Sequence, residues 1–186
     1  MSLSPPDLCL RVARDEDASA LEALIDLSVR RLLSRHYSAA QIEAALGPVF
    51  GVDRQLIHDG TYFVVEHGSE IVGCGGWSKR RAVYGGDRER EGEDAELDPL
   101  YDAARVRAFF VHPKWERRGI GRCLLTASEK AIHAAGFTRI ELCATLAGEP
   151  LYAAFGYAVT ERYDAPIPGG LSLAVVQMRK SPVRAT

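Results

Sequence analysis

The 186-residue sequence predicts an α/β fold, a mixed and mostly antiparallel central sheet with helices on both faces. Three observations predict it. Two long stretches, residues 15–34 and 119–135, repeat apolar residues at helical spacing. Short β-branched and aromatic runs stand between and after them, some in hairpin-spaced pairs. Nearly half of the residues, 47%, are hydrophobic, enough for a sizeable core in a chain of one-domain length, so residues 1–186 are read as a single domain.

The elements follow in order. Met1 to Asp7 is a loose lead with Pro5-Pro6. Leu8 to Ala13 alternates and reads as a strand at or near the sheet edge. Asp15 is the expected N-cap of a helix to about Ser34, with Ala18, Leu21, Ile25, Val29 and Leu32 as its buried stripe. Ser38 caps a second, shorter helix, Ala39 to Leu46, stopped by Gly47-Pro48. A helical turn at Asp53 to His58 leads to a hairpin, Thr61–Glu66 with Ile71–Trp77. Gly73, Gly75 and Gly76 inside its second strand mark a bulge or a close approach by a ligand.

Lys79 to Ala103 lacks periodicity. Its stretch 87–98 carries seven acidic and two basic residues, and reads as a solvated loop or as a lid that attracts a cationic amine. Val106 to Val111 is an apolar strand stopped at His112-Pro113. A helix follows, built on Ile120, Leu124, Ala127 and Ala131, with Gly136 as its stop. Thr138 to Ala144 is a further strand, and a short helix holds Tyr152. Tyr157–Tyr163 and Leu171–Met178 form a closing hairpin around the turn-rich Ala165–Gly170.

Chemistry concentrates between Val111 and Arg122. The first N–H groups of a helix have no partner within it and lie at the positive end of its dipole. Gly119 and Gly121 admit a ligand close to the backbone, and Arg117, Arg118 and Arg122 add positive charge. The natural guest is a phosphate or pyrophosphate. Taken locally, the same loop also reads as a tight turn with solvated arginines. A dinucleotide fold would want G-x-G-x-x-G, and the third glycine is absent, since Leu124 stands three residues past Gly121.

This stretch resembles motif A of the GCN5-related N-acetyltransferases, the GNAT family. There a strand ending in V-x-P leads into [QR]-x-x-G-x-[GA] and a long helix; here the residues are Val111-His112-Pro113, then Gly119 and Gly121. The leading Gln or Arg is Glu116, which is expected to point away from the pyrophosphate. Downstream, Leu151-Tyr152-Ala153-Ala154-Phe155-Gly156-Tyr157 is similar to the family's LY-x-x-x-GF, with Tyr157 for Phe. The clear resemblance covers roughly Tyr62 to Tyr163.

The resemblance implies a GNAT-like fold with a splayed parallel strand pair, and acetyl-CoA as co-substrate without a metal. It implies an N-acetyltransferase moving an acetyl group from the CoA thioester to a primary amine by direct attack. Main-chain groups of Phe109, Phe110 and Val111 would hold the pantetheine, and Arg117, Arg118, Gly119, Ile120, Gly121 and Arg122 the pyrophosphate. Tyr152 would protonate the CoA sulfur. Many relatives carry a Glu on the strand equivalent to 107–111, and none stands there. Glu141, at a position used by some relatives, is the expected base, with His112, Glu66 and His36 as further candidates.

The helix 1–2 turn often walls the acceptor pocket, which singles out His36 and Tyr37. Trp77 either lines the acceptor site or covers the sheet, and Tyr37 either contacts substrate or packs between helices. A non-catalytic acyl-CoA-binding module on the same fold is the alternative. The acceptor is a small-molecule amine or a protein amine, and homodimers are common among such proteins.

A net charge of −2 gives no support for a nucleic-acid binder. Cys9, Cys74, Cys123 and Cys143 form no C-x-x-C and read as small buried hydrophobes in a reducing compartment. No signal-like or membrane-spanning run is seen, so the expected location is cytoplasmic.

Overall fold

The computed structural model describes residues 8–81 and 95–181. One seven-stranded sheet runs through them in the order β1-β2-β3-β4-β5-β7-β6. The strands are β1 (Leu8–Val12), β2 (Tyr62–His67), β3 (Glu70–Ser78), β4 (Ala104–Val111), β5 (Ile140–Thr145), β6 (Ala158–Ile167) and β7 (Leu171–Lys180). All pairs are antiparallel except β4 with β5, so the sheet is mixed, as the element order predicts. The β4–β5 ladder is short. Ala104 pairs with Ile140 and Arg105 with Glu141, and the two strands share no further register. Beyond that point they splay, and β4 continues as far as Val111 without β5 alongside.

The helices are α1 (Ala18–Leu32), α2 (Ala39–Ala45), α3 (Arg54–His58), α4 (Ile120–Ala134) and α5 (Glu149–Ala154). Strand pleating sorts side chains between two layers. Tyr62 and Val64 join the core under α1, α2 and α3, while Phe63 and Val65 face the α4 layer. The α1 stripe buries Leu21, Ile25 and Val29 almost completely, each contributing about 1.5–3 kcal/mol of apolar transfer. Leu32, expected in that stripe, is only half-buried; the chain tightens into a 3₁₀ turn over Leu33–Arg35, and Leu33 takes the core position.

Asp15 does not cap α1. A 3₁₀ turn over Asp15–Asp17 intervenes, and the Asp17 carboxylate accepts the Arg14 N–H at 2.8 Å and two bonds from Arg11 at 2.7 and 2.9 Å. Ser38 does cap α2, in a reciprocal box with Gln41. The closing hairpin is longer than the sequence predicts, because β6 is an edge strand and tolerates Pro166, which pairs with Ser172. Cys74 is buried and Cys143 half-buried, but Cys9 and Cys123 are exposed, against the expectation for all four. Most of the acidic stretch, residues 87–94, lies outside the described residues. In the rest of it Leu97 enters the core, while Ala95, Glu96 and Asp98 are exposed and Glu96 meets Lys79 at 2.7 Å. No described helix is long and apolar enough to cross a membrane.

Candidate active site

The site begins with a fault in β4. Opposite the single residue Gly75 of β3, β4 places two, Ala108 and Phe109, between the pairs Gly76–Arg107 and Cys74–Phe110. This is a β-bulge, and Ala108 adopts φ +61° in it. A left-handed alanine costs roughly 1–2 kcal/mol, so the bulge must be held by its neighbours. The Tyr62 hydroxyl does so, donating to the Ala108 carbonyl at 3.2 Å. Gly75 makes room: a Cβ there would lie 2.6 Å from the Phe109 ring. The strand glycines therefore admit the protein's own side chains, Phe109 at Gly75 and Ile120 at Gly73, and the Thr61 carbonyl at Gly76.

The bulge re-aims the strand end where β4 and β5 part. Phe109 packs on the α4 side, edge-on to Tyr152 with ring centroids 6.1 Å apart. Phe110 packs on the α1 side, edge-on to Phe50 at 6.2 Å. A cleft of about 640 Å³ opens through this gap, and both layers contribute to its wall. That volume suits a small-molecule site.

At the α4 end the cleft meets a helix N-terminus. Gly119 is the N-cap, at φ +87°, and supplies no side chain to cap the helix. The first helical bond on a Gly119 acceptor comes from Cys123, so the N–H groups of Ile120, Gly121 and Arg122 precede the ladder. Gly121 has a different reason to be glycine. A Cβ there would meet Leu151 at 3.0 Å, so its absence lets α5 sit against the start of α4. This brings Tyr152 beside the anion-favouring loop. Arg117 and Arg122 line the cleft. Arg118 is not on its wall; its guanidinium lies over the Trp115 ring, 4.9 Å from the centroid. The glycines, free amides and two arginines fit a pyrophosphate.

Glu116 is also at the cleft wall. Arg35, at the end of the α1 segment, binds it at 3.1 Å and offsets its charge. Sequence reasoning had no local sign of this partner, 81 positions away.

Tyr152 lines the cleft, 7% exposed, in contact with Phe109 and Tyr157. Burial raises its hydroxyl pKa well above the ordinary phenol value, so it holds its proton throughout the neutral range. Phe109, Phe110 and Val111, with Gly119, Ile120 and Gly121, all border the same cleft.

Besides Arg118, three expected residues do not. Glu141 sits where β4 and β5 still pair, bound by Arg105 at 2.6 Å and Arg179 at 3.0 Å. It lines a separate recess of about 170 Å³ with Arg105, Arg139 and Arg179, so two guanidiniums occupy the carboxylate expected to act as base. Trp77 is 5% exposed and packs edge-on to Phe137 at 6.0 Å, covering the sheet away from the cleft wall. Tyr37 is buried, its hydroxyl donating to the Ala174 carbonyl at 2.8 Å and accepting from the Leu146 N–H at 3.0 Å. It ties the α1–α2 turn to β7 and to the end of β5, the packing alternative.

Of the other candidate bases, Glu66 is bound by Arg11, and His112 caps its own turn by accepting the Lys114 N–H at 3.1 Å. Only His36 reaches the cleft wall. Ser28, Phe50, Cys143 and Thr145, not singled out in the sequence, also line it. Phe50 follows a Gly-Pro stop and carries no periodic signal.

Residues 58–159 match the family model described as an acetyltransferase (GNAT) domain. No curated protein matches the sequence. Among solved structures, the chain is similar to a GCN5-related N-acetyltransferase from Rhodopseudomonas palustris, with 24% identity and a TM-score of 0.70 over 97% of this chain and 98% of that one. It is similar to the PaiA N-acetyltransferase of Thermoplasma acidophilum in complex with coenzyme A, with 16% identity and a TM-score of 0.63 over 94% and 99%. A GNAT family acetyltransferase from Brucella melitensis in complex with acetyl-CoA matches at 14% identity, TM-score 0.58, over 97% and 92%. At these identities the likeness is one of fold.

Proposed function

Because this chain belongs to the GNAT acetyltransferase family, we propose that it transfers the acetyl group of acetyl-CoA to the nitrogen of a primary amine, as a single domain. The observation that carries this reading is the continuity of one cleft from the amides of α4, through the β4–β5 splay, to the α1 layer. Two substrates can meet at the splay from opposite sides. The α4 end offers Ile120, Gly121, Arg117 and Arg122 to the pyrophosphate. The strand end at Phe109–Val111, lacking a ladder to β5, offers main-chain groups to the pantetheine.

The amine nitrogen forms a bond to the thioester carbonyl carbon, and the carbon–sulfur bond breaks. The sulfur leaves with the bond pair and takes a proton, which Tyr152 supplies from the cleft wall. The nitrogen loses one proton, which His36, a cleft-lining imidazole, would receive. Glu141 is not given that role, since Arg105 and Arg179 hold it elsewhere.

Calorimetric titration with acetyl-CoA, CoA and NAD tests the binding half. Micromolar affinity for acetyl-CoA, weakened at least tenfold in R117E and R122E, supports the reading. A preference for NAD, or no CoA binding, overturns it. Thiol release with an amine panel tests the chemical half; binding without transfer would favour a non-catalytic acyl-CoA-binding module, the reading that the lack of an unpaired carboxylate on the described cleft wall leaves standing.

A further inference from the structure

The two ends of the cleft differ in chemistry, and the difference bears on the acceptor. At the α4 end the wall carries the cations Arg117 and Arg122. On the α1 side it is built from Leu32, Leu33, Phe50 and Phe110, with Ser28, Arg35 and His36 as polar groups. Phe50 and Phe110 stand edge to face, which gives an aromatic wall rather than a loose apolar surface.

Charge is the second observation. Among the described residues on the wall, Glu116 is the only carboxylate, and Arg35 already holds it. Arg35 itself lines the cleft, so no part of this wall presents a net negative charge. A second ammonium on the acceptor would meet, among the described residues of the wall, no unpaired opposite charge, and such burial is unfavourable. An apolar body would replace water against Leu33, Phe50 and Phe110 at no such cost.

We infer that the acceptor is a primary amine carried on an apolar, aromatic or branched aliphatic body with no second cationic group. This rests on the acetyl-transfer reading above and narrows it. It sets polyamines and lysine-rich segments apart from the preferred substrates, although both present primary amines. Ser28, 4% exposed on the wall, is the hydroxyl that would meet the neutral amine, and the apolar residues decide what body the amine carries.

The test is thiol release by the full chain with saturating acetyl-CoA and four amines: phenethylamine, isoamylamine, cadaverine and spermidine. The expected result is a kcat/KM for phenethylamine at least tenfold above that for cadaverine or spermidine. L32E, which places a carboxylate at a half-buried position of the wall, is expected to move the phenethylamine-to-cadaverine ratio at least tenfold toward cadaverine. Faster acetylation of spermidine or cadaverine by the unmodified chain would overturn the inference and leave the acetyl-transfer reading intact. Acetyl-CoA binding with no transfer to any of the four, or to lysine and alanine peptides, would overturn that reading, and the inference with it.

Discussion

Replacing Gly75 by alanine tests whether the β4 bulge is seated by the Phe109 ring. The added Cβ would lie 2.6–2.8 Å from three ring atoms, Cγ, Cδ2 and Cε2. Ordinary contact begins near 3.4 Å, so the ring must retreat by more than half an ångström. These atoms are at the root and side of the ring, so no flexible tip can absorb the overlap. Overpacking of this kind costs about 1–3 kcal/mol. Alanine also reduces the freedom of the unfolded chain, which returns about 0.4–1 kcal/mol. The overlap wins, and G75A is expected to lose about 1–2 kcal/mol.

In an F109A background the overlap is gone while the entropy term remains. There the same substitution should be neutral or stabilising by about 0.4–1 kcal/mol. The change of sign is the prediction. Urea unfolding of the four proteins in a double-mutant cycle measures it, with an expected coupling of about 1–3 kcal/mol. Additivity within about 0.5 kcal/mol would refute the seating of Phe109 on Gly75.

Other outcomes follow from the same structure. Tyr152→Phe should lower kcat by about 10²-fold or more, with acetyl-CoA affinity nearly unchanged, as a proton donor's loss requires; an unaltered kcat removes the hydroxyl from the reaction. Arg107→Met should destabilise by about 3–5 kcal/mol, because it leaves Asp53, bound at 3.0 Å and 2% exposed, as a buried charge that has lost a partner; a melting temperature within a degree of the parent would contradict this. The Arg11 guanidinium holds the Asp17 carboxyl below its ordinary range. Its stabilisation is therefore complete above the unfolded value, about pH 4, and is lost as pH falls through the lower folded value. Asp17→Asn should be less stable at pH 7 and show a shallower loss of stability below pH 4, read from thermal melts across pH 2–7; parallel curves for the two proteins would be inconsistent with that linkage.

The elements most readable in the sequence are those whose cause is local. The α4 stripe, the Ser38 cap and the glycine-bearing loop each depend on residues a few positions apart, and each is where the pattern puts it. What escaped depends on partners far along the chain. Glu141 reads as a free carboxylate until Arg179 arrives from β7, 38 positions on. Tyr37 and Trp77 each read either as a substrate contact or as packing until the contacts with β7 and Phe137 are seen. Gly75 and Gly76 did announce an irregularity, yet the extra residue lies in the neighbouring strand, and a glycine cannot say which strand carries the fault. His36, singled out with Tyr37 by the family resemblance, does line the cleft, and nothing local told it from Tyr37 beside it.

The pair Arg35 and Glu116 changes how a departure from a family motif is to be read. An acidic residue ahead of the glycines looks like a defect when the loop is considered alone. With Arg35 at 3.1 Å it is one half of a compensated exchange, in which the loop lends a carboxylate and the opposite wall returns a guanidinium. The local electrostatics then depend on the charge summed over the two residues, not on the residue at one position. Either half changed alone unbalances that sum by a full charge, and the two changed together restore it. Substitutions at 35 and 116 should therefore be tolerated as a pair, across a sequence distance that no local motif spans.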